Sequence, residues 1–160
     1  MIEQITVLGV GNILMQDEGF GVRVVEKLLS QYEFPENVQV LDGGTLGMEL
    51  LRFLIGTDRL ILVDAVSGNL PPGSVYHFNH DEVKAYFKEK VSMHELGIQD
   101  VLAVLEVMEK SAKEIRILGV QPLTIDIGLE MTPLITGVVD DVAQKLLLIL
   151  REWQIEVGEK

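Results

Sequence analysis

Glu18, Asp64 and His94 are the residues of this chain best suited to chemistry. Each falls where a strand-like or loop segment gives way to a helix. Two carboxylates and one imidazole that converge in space make a three-ligand site with coordination positions left open, a place for a metal that must still touch something else. Their separation along the chain is far too wide for a helical motif, so convergence depends on the fold. Asp42 is a fourth candidate, a carboxylate at the end of an apolar run that suits catalytic support better than direct ligation.

The elements that must position these groups are legible from periodicity. Ile5-Thr6-Val7-Leu8 is a short β-branched run ending at Gly9-Val10-Gly11-Asn12, which predicts a buried strand entering a turn. Phe20, Val24, Val25, Leu28 and Leu29 recur at helical spacing, with Arg23, Glu26 and Lys27 between them as the wet face. Val38-Gln39-Val40-Leu41 predicts a second strand before Asp42-Gly43-Gly44-Thr45. Met48, Leu51, Phe53 and Leu54 predict a short helix. Arg59-Leu60-Ile61-Leu62-Val63 predicts a third strand, ending at Asp64.

This β-α-β-α-β order with short connections predicts parallel strands in a sheet covered on both faces. After Pro71-Pro72-Gly73, the alternating polarity of Ser74 to Phe78 predicts an edge strand. A weak helical pattern spans residues 81–87 and a strong one spans 98–108. Glu114 to Leu118 predicts the fifth strand, and Val120 to Met131 shows no clear period and reads as an extended loop. Thr132-Pro133 predicts an N-cap with proline at the first helical position. An apolar stripe from Ile135 to Trp153 predicts one helix of about five turns.

In an open α/β sheet the carboxyl ends of the strands form the ligand crevice, which would gather Gly9 to Asn12, Asp42 to Thr45, Asp64 and Gly119 on one edge. Competing readings exist for each residue. Asp42 could cap Gly43-Gly44-Thr45, and the continuation Ala65-Val66-Ser67-Gly68 makes that reading weaker for Asp64. Asp17 and Glu18 could be first-turn acids matched to a helix dipole. His94 alone could be a surface or capping histidine, and His77 and His80 read as structural or solvated.

Bulk properties narrow the functions. The chain has 160 residues, 48% of them hydrophobic, enough for one domain, residues 1–160, with a sizeable core. Its net charge of -12, from 25 acidic and 13 basic residues, opposes a nucleic-acid backbone or an anionic membrane as main partner. With no cysteine, thiolate ligands and a thiol nucleophile are excluded, and any metal is bound by N and O. The N-terminus lacks a basic n-region, and no segment approaches the ~20 apolar residues of a membrane span. A cytoplasmic protein without membrane insertion is expected.

Familiar motifs fail. Gly9-Val10-Gly11-Asn12-Ile13-Leu14 has Leu14 where a dinucleotide fingerprint needs its third glycine. There is no phosphate-binding loop and no nucleophile elbow, and Ile98 stands where a helical zinc motif starting at His94-Glu95 needs histidine.

The residues nevertheless resemble a known family, the hydrogenase maturation proteases. Gly9 to Leu14 with Asp17-Glu18-Gly19 and Gly21-Val22-Arg23 looks like its opening motif, and Leu41-Asp42-Gly43-Gly44-Thr45 with Gly47 its second. Asp64-Ala65, His94-Glu95-Leu96-Gly97 with Asp100-Val101-Leu102, and Gly119-Val120-Gln121-Pro122 with Gly128-Leu129 and Thr132-Pro133 resemble the rest. Glu130-Met131 look inserted relative to some relatives, which reads as loop variation.

The resemblance implies a three-layer α/β/α fold with a five-stranded, mostly parallel sheet whose fourth strand is antiparallel at an edge. It implies an endopeptidase that removes a C-terminal extension from a nickel-iron hydrogenase large-subunit precursor after nickel insertion. It also implies that Glu18, Asp64 and His94 contact nickel supplied by that precursor. Asp42 or Asp64 would then be the catalytic carboxylate, in a protein expected to be monomeric when free. A non-catalytic, nickel-sensing chaperone of the same subunit would use the same trio. A nucleotide-binding protein and a zinc peptidase carrying its own metal are further alternatives.

Overall fold

The computed structural model describes residues 2–89 and 96–160; the side chains of residues 88, 89, 96 and 97 are outside that description, and so is His94. In chain order the elements are β1 (Ile5–Val10), α1 (Phe20–Gln31), β2 (Tyr32–Glu33), β3 (Val38–Gly44), α2 (Leu51–Leu54), β4 (Arg59–Ala65), β5 (Val75–Phe78), α3 (His80–Glu89), α4 (Leu96–Val107), β6 (Glu114–Val120), α5 (Pro133–Thr136), α6 (Val139–Glu152) and β7 (Gly158–Glu159). Single 3-10 turns, Gln16–Gly19 and Met48–Leu50, lead into α1 and α2.

Five strands form one sheet in the order β3-β1-β4-β6-β5. All pairs are parallel except β5 with β6, so the antiparallel strand occupies an edge, as expected from its alternating polarity. Strand alternation divides the core into two layers. Ile5, Val7, Ile61, Val63 and Leu118 pack with α1 and α6, around Phe20, Leu28, Val142 and Leu146. Leu8, Leu60, Leu62 and Ile117 face the other way, onto Leu54, Val83, Val101 and Leu105. Thr6 is buried on this second side, where its hydroxyl meets Thr57 Oγ1 at 2.7 Å and accepts from Gln39 Nε2 at 2.7 Å.

α1 lies unusually close to the sheet because of glycine. A β-carbon on Gly9 would fall 2.3 Å from the Gly21 carbonyl oxygen, and one on Gly21 would fall 2.1 Å from that of Val63. No side chain fits there.

Two expectations need correction. The C-terminal stripe is not one helix. Its first turn, α5, gives way at Gly137 and Val138, where the Val138 N–H bonds to the carbonyl of Ile135, three residues back. A poor helix former tightens the turn there before α6 begins. Thr132 does sit before Pro133 with extended backbone, but its hydroxyl makes no cap; Asp17 takes it instead. Secondly, the segment after β6 is an extended loop with a period after all. Leu123, Ile125, Ile127 and Leu129 are all exposed, at every second position.

Candidate active site

The chain runs from β1 to β3 on one side and then returns to place β4 on the other side of β1. The carboxyl ends of β1 and β4 thus flank the point where strand order reverses, which is where open α/β sheets bind ligands. Glu18 follows β1 and Asp64 is the penultimate residue of β4.

Gly11 brings these two together. It has a φ of +133°, a conformation that side chains disfavour. A β-carbon there would lie 1.9 Å from the backbone oxygen of Glu18 and 3.6 Å from Asp64 Oδ1. Gly11 is therefore the floor between them, tied to β3 by its N–H donating to the Gly44 carbonyl at 2.9 Å. Asp64 is half-buried, and its Oδ1 accepts from the Ala65 N–H at 2.8 Å. Glu18 is half-buried with Oε2 closed off from solvent.

The turn carrying Glu18 is built by short-range bonds and by strain. Asn12 Oδ1 accepts from the Leu14 N–H at 2.9 Å, a side-chain turn of the kind asparagine favours. Gln16 has a φ of +49°, a strained choice for a residue with a side chain, of the kind that gathers at functional loops. Next comes Asp17, completely buried. Its Oδ2 accepts from the N–H groups of Leu123 and Thr124 at 3.0 and 2.9 Å. Its Oδ1 accepts from the Thr132 N–H at 2.8 Å and lies 3.0 Å from the Thr132 hydroxyl.

Asp17 is thus no dipole-matching acid. It is the pin that holds residues 121–132 beside the Glu18 turn, helped by Gln16 N–H donating to Gly128 O and Gly128 N–H donating to Leu14 O. The only signal of this in the sequence was two adjacent acids where one would serve.

Asp42 stands apart. It pairs in register with Gly9, which pairs on its other side with Val63. Asp42 therefore sits two strands, about 10 Å, from β4 and level with Val63, so alternation turns it to the face opposite that of Asp64. Its side chain is exposed, and no hydrogen bond among the described residues uses its carboxylate. It does not cap the Met48–Leu50 turn, where Glu49 Oε2 accepts from the Gly47 N–H. His77 is exposed on β5, and His80 Nδ1 accepts from the Ile115 N–H at 2.9 Å, one solvated and one structural, as expected. His94 lies outside the described residues, and among the described residues no three acids or histidines cluster as a metal site.

An α/β protein with a mostly parallel sheet and with the Glu18 turn and the Asp64 carboxylate at its switch point is the class that fold and site define. Comparison with known proteins gives the family. A family model described as HycI, hydrogenase maturation protease, matches residues 22–149. The chain is 41% identical over 154 residues to hydrogenase 2 maturation protease of Escherichia coli strain K12, covering 96% of this chain and 94% of that one. It is 40% identical over 157 residues to the hydrogenase expression/formation protein HupD of Rhodobacter capsulatus, covering 97% of this chain and 75% of that one. Its fold is similar to that of the E. coli hydrogenase maturating endopeptidase HybD, with a TM-score of 0.93 at 39% identity over 98% of both chains. The chain belongs to the hydrogenase maturation protease family, and is an endopeptidase.

Proposed function

We propose that this endopeptidase trims the C-terminal extension of a nickel-iron hydrogenase large-subunit precursor, and that it recognises nickel already inserted there. The observation that carries this reading is the cradle at Gly11, where the Glu18 turn and the Asp64 carboxylate meet at the switch point. With the imidazole of His94 they supply two oxygen donors and one nitrogen donor, a set that fits the open positions of a divalent metal held elsewhere by its carrier.

The nickel is part of the substrate in this reading. Only a metallated precursor then docks fully, so binding acts as a checkpoint. Cleavage requires water to add to the scissile carbonyl, its proton to pass to a base, and the amide nitrogen to leave protonated. A carboxylate performs that proton transfer when it lies within hydrogen-bond reach of the water. Asp64 lies in the cradle, so we assign the transfer to it. Asp42, on the exposed rim, meets the incoming substrate chain. We assign the reaction to the cytoplasm and the free protein to the monomeric state.

Glu18→Gln and His94→Ala should each lower the rate of processing of nickel-loaded precursor at least ~100-fold while far-UV circular dichroism and urea midpoint stay near wild type. Wild-type rates in either variant would remove that residue from the site. Mass spectrometry of the precursor reads the outcome directly, as loss of a C-terminal peptide.

A further inference from the structure

Beside the cradle lies an apolar ridge that the cleavage chemistry does not use. Ile127 is 88% exposed, Leu129 64% and Leu123 53%, with Ile125 between them and Leu14, 56% exposed, on the turn whose carbonyl accepts from the Gly128 N–H. Apolar surface gathered this way marks an interaction site more often than scattered exposed residues do. This ridge is also held in place. The buried Asp17 carboxylate grips the backbone at Leu123, Thr124 and Thr132, and Arg23 Nη2 donates to the Leu129 carbonyl at 3.2 Å.

We infer that residues 123–129, with Leu14, form the surface on which the protein substrate docks, and that Asp17 fixes this surface at a set distance from Glu18. The inference rests on the function proposed above and adds to it a second contact, separate from the metal.

Two observations choose the occupant. Asp17, whose carboxylate grips the ridge backbone, is bonded directly to Glu18, so the ridge is fixed next to the cradle and a protein chain seated at the cradle has the ridge as its neighbour. Asp126 and Glu130 are exposed among the apolar residues, which suits an apolar segment flanked by basic side chains. The same acids oppose a second copy of this chain. An isologous contact would bring them face to face in molecules already carrying a charge of -12 each.

The test compares wild type with Ile127→Asp and Leu129→Asp, whose exposure makes them harmless to the fold. Val107→Asp, at an 85% exposed position at the end of α4, controls for loss of general stickiness. Binding of nickel-loaded precursor is read by biolayer interferometry, and cleavage by KM and kcat. The ridge variants should weaken binding and raise KM at least tenfold with kcat within twofold of wild type, and Val107→Asp should change neither.

Unchanged KM and binding in both ridge variants, with normal wild-type cleavage, would overturn the ridge and leave the proposed function standing. Wild type that binds the precursor without cutting it, with binding lost in the ridge variants, would support the ridge and overturn the proposed function. A wild-type dimer in sedimentation that Ile127→Asp dissolves would assign the ridge to a second copy and overturn the inference. A wild type that does not bind the precursor overturns both.

Discussion

Asp17 and Glu18 are adjacent acids with opposite roles, and single substitutions should separate them. Asp17 is fully buried and satisfies donors from two places in one loop. Asn at position 17 keeps the shape but presents N–H groups to N–H groups, so Asp17→Asn should cost about 3 kcal/mol in urea unfolding, given what charged hydrogen bonds contribute and what unpaired buried donors cost. Glu18→Gln should cost less than about 1 kcal/mol while abolishing processing. Gly11→Ala places a methyl against the Glu18 carbonyl in a disfavoured backbone conformation and should cost about 2 kcal/mol or more. A urea midpoint within error of wild type would show that the cradle is looser than described. The sequence made Glu18 and Asp64 legible as candidates because each sits at the end of a patterned element. It hid the role of Asp17, whose partners are over a hundred residues away, and gave no hint that Asp42 turns from Asp64, because facing depends on register.

At the scale of elements, the strands and α1 were legible because each buries a periodic face against a defined layer. The misreadings have local causes. Gly137 tightens one turn inside a continuous apolar stripe, and the alternation of residues 123–129 is exposed rather than buried, so it does not mark a strand in the sheet. The amino edge of the sheet, opposite the site, carries a polar network of structural character. Arg59 pairs with Glu3 and Glu114, and Arg116 with Glu114 and Glu152, while both guanidinium groups lie over the Trp153 ring at 5.1 and 5.4 Å. Trp153→Ala should lose about 2 kcal/mol of stability from apolar area and cation–π contact together. Lys113 also pairs with Glu3, and its hydrogen bond, with the Arg59 pair, holds the Glu3 carboxyl below its ordinary range. A group lowered in the folded state stabilises above its unfolded pKa and loses that contribution as pH falls through its folded pKa. Lys113→Ala should therefore lower the urea midpoint at pH 7, by a margin that shrinks at an acidic pH below the ordinary carboxylate range. An equal difference at both pH values would contradict this.

Across the whole molecule, function and stability occupy opposite ends of one sheet. The carboxyl edge holds the cradle, the strained Gln16 turn and the apolar ridge; the amino edge holds the ion-pair network. No helix among the described residues is long and apolar enough to cross a membrane. The surplus of acid leaves the site inhospitable to another anion and receptive to a cationic centre, which joins the bulk charge to the central claim that the metal arrives within the substrate. That claim is tested most directly by incubating the purified protein with large-subunit precursor prepared with and without nickel and weighing the products. Loss of the C-terminal peptide is expected from the nickel-loaded precursor alone. Equal cleavage of both precursors would contradict it.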